Sequence, residues 1–196
     1  MPHPFPLCLS LLSAIASAGA GPDLAQVQRA VGAAWGAEMG GAERTGRVAL
    51  SLFAPRVDAL GWCRPVAGGA FECSVGIRNG MEQAYRMMRF APQGDRWRWQ
   101  PVQVEVPVPS VDELAPQWNA WLDETIAATP DPTTREAMRT EVLGMRLAGI
   151  EDCELAREDG RLQCWLVADD GADRRSILQV DLRPAGGRWQ LHGRPR

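Results

Sequence analysis

The chain has 196 residues, 45% of them hydrophobic and 23% charged, with a formal net charge of -3. That is ordinary globular composition and not that of a disordered chain. An acidic balance with a pI near 5.5 gives no electrostatic case for a nucleic-acid partner, whose binders present a strongly basic face.

The first twenty residues read as a targeting segment. "PLCLSLLSAIA" is a short apolar run, and the small residues after it predict cleavage near Ala18 or Ala20, although the positive charge before the run is limited to the amino terminus and His3. The run is shorter than the ~20 apolar residues that span a bilayer, and no later segment qualifies, so no stable membrane insertion is expected. Removal of residues 1–20 leaves Cys63, Cys73, Cys153 and Cys164. Four cysteines in an oxidising compartment predict two disulfides, and a periplasmic or secreted location. Their spacing is far from that of a zinc knuckle, so a metal is not expected, nor any other cofactor.

The next element is an amphipathic helix. Leu24, Val27, Val31 and Trp35 recur at helical spacing, Pro22 suits a first turn, and Gly40-Gly41 ends it. Strands follow at about Arg47–Ala54, Val57–Arg64, Phe71–Arg78, Glu82–Ala91 and Arg96–Val106. In "RWRWQPVQVEV" the alternation sets Trp97 and Trp99 on one face and Arg96 and Arg98 on the other. A second helix then opens at Ser110, where Ser110 and Glu113 match a capping box. Val111, Leu114, Trp118, Leu122 and Ile126 form its apolar stripe, and Pro130 and Pro132 stop it. The segment 133–147 fits a short helix or a strand equally well. Beyond it, "DCELAREDGRLQC" matches the earlier "WCRPVAGGAFEC", and Asn79-Gly80 and "APQGDRW" find counterparts in Asp170-Gly171 and "RPAGGRW". Landmarks in the same order, roughly ninety residues apart, are the mark of an internal repeat.

These elements predict an α+β fold of two tandem repeats, 21–106 and 107–196, joined near Val106–Ser110. Each repeat is an N-terminal helix followed by a curled antiparallel meander with one hairpin disulfide. The bonds expected are Cys63–Cys73 and Cys153–Cys164. Ten residues of separation fit an odd loop around Ala67-Gly68-Gly69, and eleven fit an even loop over 157–160, so both hairpins keep a facing cysteine pair.

Catalytic constellations are scarce. After signal removal only His192 remains as a histidine, and the sequence has no P-loop, G-x-G-x-x-G or C-x-x-C. Carboxylates are the remaining candidates: Asp169, Asp170 and Asp173 at one turn, and Glu151, Asp152 and Glu154 before the second cystine. Both groups sit at hairpin ends, where solvated acids are common. Binding is better supported than catalysis, because eight Trp and many Arg are present, the residue types that concentrate binding energy. The candidate contacts are the strand face of Arg96 and Arg98, and the turn carrying Arg157, Glu158, Asp159 and Arg161, since rigid frames carry recognition on their loops.

A helix followed by a curled antiparallel meander resembles the cystatin-like or NTF2-like arrangement of many small exported bacterial proteins. The resemblance is architectural and brings no functional residue with it. The function expected is that of a non-enzymatic periplasmic binding protein, an inhibitor or immunity protein whose partner is a toxin or cell-wall hydrolase. The alternatives are an envelope structural or assembly factor and a carboxylate-dependent hydrolase.

Overall fold

The computed structural model describes residues 21–39, 55–79, 81–142, 144–171 and 174–193. The expected signal segment, the strand at 47–54 and Asp173 lie outside these residues. The fold is α+β. Helix α1 (Leu24–Met39) precedes β1 (Arg56–Pro65), β2 (Phe71–Asn79), β3 (Glu82–Gln93) and β4 (Arg96–Gln100). Helices α2 (Val111–Ala128) and α3 (Pro132–Val142) precede β5 (Arg146–Leu155), β6 (Leu162–Asp169), β7 (Arg175–Ala185) and β8 (Arg188–His192). The strands form two four-stranded antiparallel sheets, in the orders β1-β2-β3-β4 and β5-β6-β7-β8.

The helices begin where side chains satisfy their first free N–H groups. For α1 this is a reciprocal box absent from the sequence reading: Asp23 Oδ1 accepts from Gln26 N at 2.7 Å, and Gln26 Oε1 accepts from Asp23 N at 2.9 Å. For α2, Ser110 Oγ accepts from Glu113 N at 3.2 Å as expected, but the Glu113 side chain goes elsewhere. Segment 133–147 holds nearly all of one helix and the start of a strand. Asp131 caps α3 through Thr134 N at 2.6 Å, and Pro132 occupies the first helical position, where its missing N–H costs nothing. Beyond Gly144 the chain enters β5.

Each sheet lays one face on its helix. The first core joins Val27 and Val31 of α1 to Val75, Met88 and Phe90. The second joins Leu114, Trp118 and Leu122 of α2 to Leu162, Leu166 and Leu182. Both disulfides form as expected, between directly facing residues: Cys63–Cys73 with Cα atoms 4.0 Å apart, and Cys153–Cys164 at 4.1 Å. The loops also have the expected parity. Pro65 pairs with Phe71 across five residues, and Leu155 with Leu162 across six.

The halves share irregularities too. β1 has register shifts between Val57 and Ala59 and between Leu60 and Trp62; β5 has them between Leu147 and Gly149 and between Ile150 and Asp152, at the same offsets from the cystine. A bulge bends a strand and increases its twist. Two at matched positions are consistent with a two-repeat layout.

The strand expected over Arg96–Val106 ends at Gln100. Pro101 has no N–H to continue the ladder, and Val102 N turns back to Gln100 O at 2.8 Å, so residues 101–110 run outside both sheets to α2.

The halves meet where a turn of the second seats on the first and where β1 approaches β7. Gly160, between β5 and β6, is buried against the face of the first sheet that points away from α1. Its carbonyl accepts from Trp62 Nε1 and from Ser74 Oγ, each at 2.8 Å. Trp62 continues into the second core and meets Trp189 edge to face, with ring centroids 5.0 Å apart. The contact is tight enough to fix a residue type: a Cβ on Gly160 would lie 2.2 Å from Tyr85 Cδ1 and 2.4 Å from Ser74 Oγ.

Candidate functional site

The face of the first sheet opposite α1 carries most of the unusual polar chemistry. Trp97 and Trp99 pack inward on the first core, which leaves Arg96 and Arg98 exposed on the opposite face of β4. Register continues that face inward: Arg98 is opposite Ala91, and Gln100 is opposite Arg89, which is opposite Glu72, which is opposite Arg64.

Glu72 is 4% exposed, and two guanidinium groups bracket it. Arg64 donates through Nε at 3.2 Å and Nη2 at 2.7 Å to Oε2, and Arg89 donates through Nε at 3.2 Å and Nη2 at 2.5 Å to Oε1. Burial raises the carboxyl's proton affinity, but the hydrogen bonds from Arg89 and Arg64 and their charges outweigh it and hold its pKa below the ordinary 4.5. The Arg side chains stay about one-third exposed. They face a groove of about 610 Å³ walled by the extended segment 103–108.

The second predicted set is placed differently. Arg157 and Glu158 are exposed at the tip of the β5–β6 turn, while Asp159 and Arg161 are partly buried beside Gly160. Arg161 donates to Asp159 through Nε and to Asp181 through Nη1, both at 2.8 Å, and the bond to Asp159 together with these charges raises its pKa. Gln163 Nε2 adds a bond to Asp181 at 3.0 Å. The Glu72 row stands between the docked turn and Arg98, so the two predicted sets lie at different ends of one face instead of forming a single patch.

The acidic candidates are dispersed. Asp170 pairs with Arg174 at 2.7 Å, Glu151 approaches Arg175 at 3.9 Å, and Asp152 accepts from Cys153 N at 2.8 Å. Among the described residues no group of three or more His, Cys, Asp or Glu side chains is placed to hold a metal ion. His192 is exposed at the end of β8.

The sequence reading missed a set of contacts between α2 and the edge of the second sheet. Glu113 Oε1 accepts from Trp189 N at 2.5 Å; Gln117 Nε2 donates to Trp189 O at 2.8 Å, and its Oε1 accepts from Leu191 N at 2.9 Å. The signal was present in a polar pair four residues apart on one side of the apolar stripe, but its target is more than seventy residues away. The chain matches no family model, and neither the curated proteins nor the solved structures contain a significant match to it.

Proposed function

We propose that the protein is an exported, non-enzymatic binding protein that neutralises a partner with an acidic surface, in the manner of an inhibitor or immunity protein acting on a toxin or a cell-wall hydrolase. One observation carries the reading. Arg64, Arg89, Arg96 and Arg98 stand on one face of a disulfide-stapled sheet, with a single buried carboxylate among them. Guanidinium groups held on strands lose little freedom on binding and match carboxylates in a bidentate fork. The two cystines favour an oxidising space such as the periplasm, and no helix among the described residues is long and apolar enough to cross a membrane. The matched bulges support reading the chain as a duplication, each copy opening on a helix, with the boundary near residue 106.

The test is to incubate the exported protein with periplasmic extract, isolate any stoichiometric complex, and assay the partner for hydrolase or toxin activity. Inhibition by wild type, lost in Arg96→Glu/Arg98→Glu, is the expected result. A complex that survives this charge reversal refutes the arginine face. Absence of a partner, together with turnover of a glycan substrate by the purified protein, favours the hydrolase reading instead.

A further inference from the structure

We propose that the outer edge of β4, with the cleft between it and α1, is a binding site for an extended acidic peptide segment that pairs main chain to main chain with Trp97 and Trp99. This rests on the reading of the chain as a binding protein and names what it holds.

The two sheets end in equivalent edges. Register places Trp97 opposite Pro92 and Trp99 opposite Phe90 in the first sheet, and Trp189 opposite Pro184 and Leu191 opposite Leu182 in the second. Proline has no N–H, so a residue facing it cannot exchange both ladder bonds with it. The main-chain groups of Trp97 and Trp189, and those of the residues two further on, therefore point away from the sheet. In the second sheet α2 satisfies them, with Glu113 on Trp189 N and Gln117 on Trp189 O and Leu191 N.

In the first sheet α1 does not. Aligning the sequences of the two helices by their buried residues, Val27 and Val31 with Leu114 and Trp118, pairs Gln26 with Glu113 and Ala30 with Gln117. The Gln26 amide oxygen is used in the cap of its own helix, and Ala30 has only a methyl group. No described side chain bonds to the main chain of Trp97 or Trp99, and a cleft of about 530 Å³ lies between Gln26, Ala30 and Ala33 and the start of β4.

The second half thus shows what chemistry the first half's edge lacks: an acceptor for one N–H, a donor for the carbonyl, and an acceptor for the next outward N–H. A peptide strand presents that alternation along its backbone, as in strand addition to an open sheet edge. Arg29 and Arg96 line the cleft with Asp95, and Arg98 is exposed two residues on. That excess of positive charge selects an acidic segment.

The test uses the full ¹⁵N-labelled protein and an acetylated, amidated peptide, Thr-Glu-Val-Thr-Val-Glu-Thr. In the free protein the Trp97 and Trp99 amides exchange with solvent faster than those of Trp189 and Leu191, and the peptide produces saturable shifts centred on Trp97 and Trp99. The variant Ala30→Gln restores the half of the cap that Gln117 supplies in the second sheet, slowing exchange at the Trp99 amide but not at that of Trp97, and weakening peptide binding, each effect about ten-fold, the worth of one hydrogen bond. Ala33→Gln, on the exposed side of the same cleft, weakens binding if Ala30→Gln does not fold, and N-methylation of alternate peptide amides abolishes binding without altering the protein. The inference is overturned if the Trp97 and Trp99 amides of the free protein are already as protected as Trp189 and Leu191. It is also overturned if the peptide leaves them unshifted, or if the N-methylated peptide binds as well as its parent. Amide exchange requires no partner. Peptide binding with no inhibited enzyme in the extract would therefore remove the inhibitor reading and leave this site standing.

Discussion

Replacing Gly160 with alanine tests how the two halves are held together. Gly160 has φ +70°, a conformation that costs an L-residue about 1 kcal/mol or more. The added Cβ would also sit 2.2 Å from Tyr85 and 2.4 Å from Ser74 Oγ, so the turn must withdraw. Withdrawal breaks the two 2.8 Å bonds to Gly160 O, each worth about 1 kcal/mol, and leaves Ser74, which is 0% exposed, without its acceptor, at a further cost of about 1–2 kcal/mol. The sum is about 4–5 kcal/mol, equivalent to a fall of roughly 8–20 °C in Tm for a chain of this size. The assay is urea and thermal unfolding of Gly160→Ala beside Gly186→Ala. Gly186 also has positive φ (+58°) but nothing within 4 Å of a Cβ, so its substitution should cost only about 1 kcal/mol. Equal costs for the two variants would refute the reasoning.

Three further outcomes follow from contacts already described. The Glu72 pKa is depressed in the fold, so its stabilisation is complete above the ordinary value of 4.5 and is lost as pH falls through the lower folded value; urea midpoints of wild type should decline more steeply below pH 4.5 than those of Glu72→Gln, which at neutral pH is less stable by about 1–2 kcal/mol. Cys63→Ser/Cys73→Ser should cost ~2.5–3 kcal/mol by the loop-closure model, and peptide mapping without reductant should find only Cys63–Cys73 and Cys153–Cys164. Gln117→Ala removes two bonds from the edge of β8 and should cost about 1–2 kcal/mol, with the Leu191 amide exchanging faster while Trp189, still bonded to Glu113, stays protected.

What could be read from the sequence was local or locally registered. The cystines were legible because a hairpin loop's length fixes which residues face each other, and the lengths around Ala67-Gly69 and 157–160 each fit a facing pair. The inward tryptophans of β4 followed from simple alternation, and so did Arg96 and Arg98 outside it. Segment 133–147 was undecidable because its apolar residues belong to two elements, and one period cannot fit both. The end of β4 was missed although Pro101 was in plain view, because the apolar alternation continues through "VQVEV" after the hydrogen bonding has stopped. The docking of Gly160 had no sequence signal: its partners Ser74 and Trp62 are 86 and 98 residues away, and a glycine in a charged turn looks like any other turn glycine. The Arg64–Glu72–Arg89 row was overlooked for a related reason, since each member stands on a different strand.

The seating of the second half's turn on the first half's sheet has no two-fold symmetry. A turn on one unit meets a sheet face on the other, and among the described residues the reciprocal contact is not made, which is the head-to-tail geometry that in principle extends without limit. Counting from the cystines, Gly61 and Ser74, which lie against the incoming turn, correspond to Glu151 and Trp165 in the second half. A carboxylate side chain and an indole stand where the first sheet has a hydrogen and a hydroxyl, so the second sheet does not offer a turn the same seat. Bulk at those two positions is a steric block to seating a further copy through the same contact.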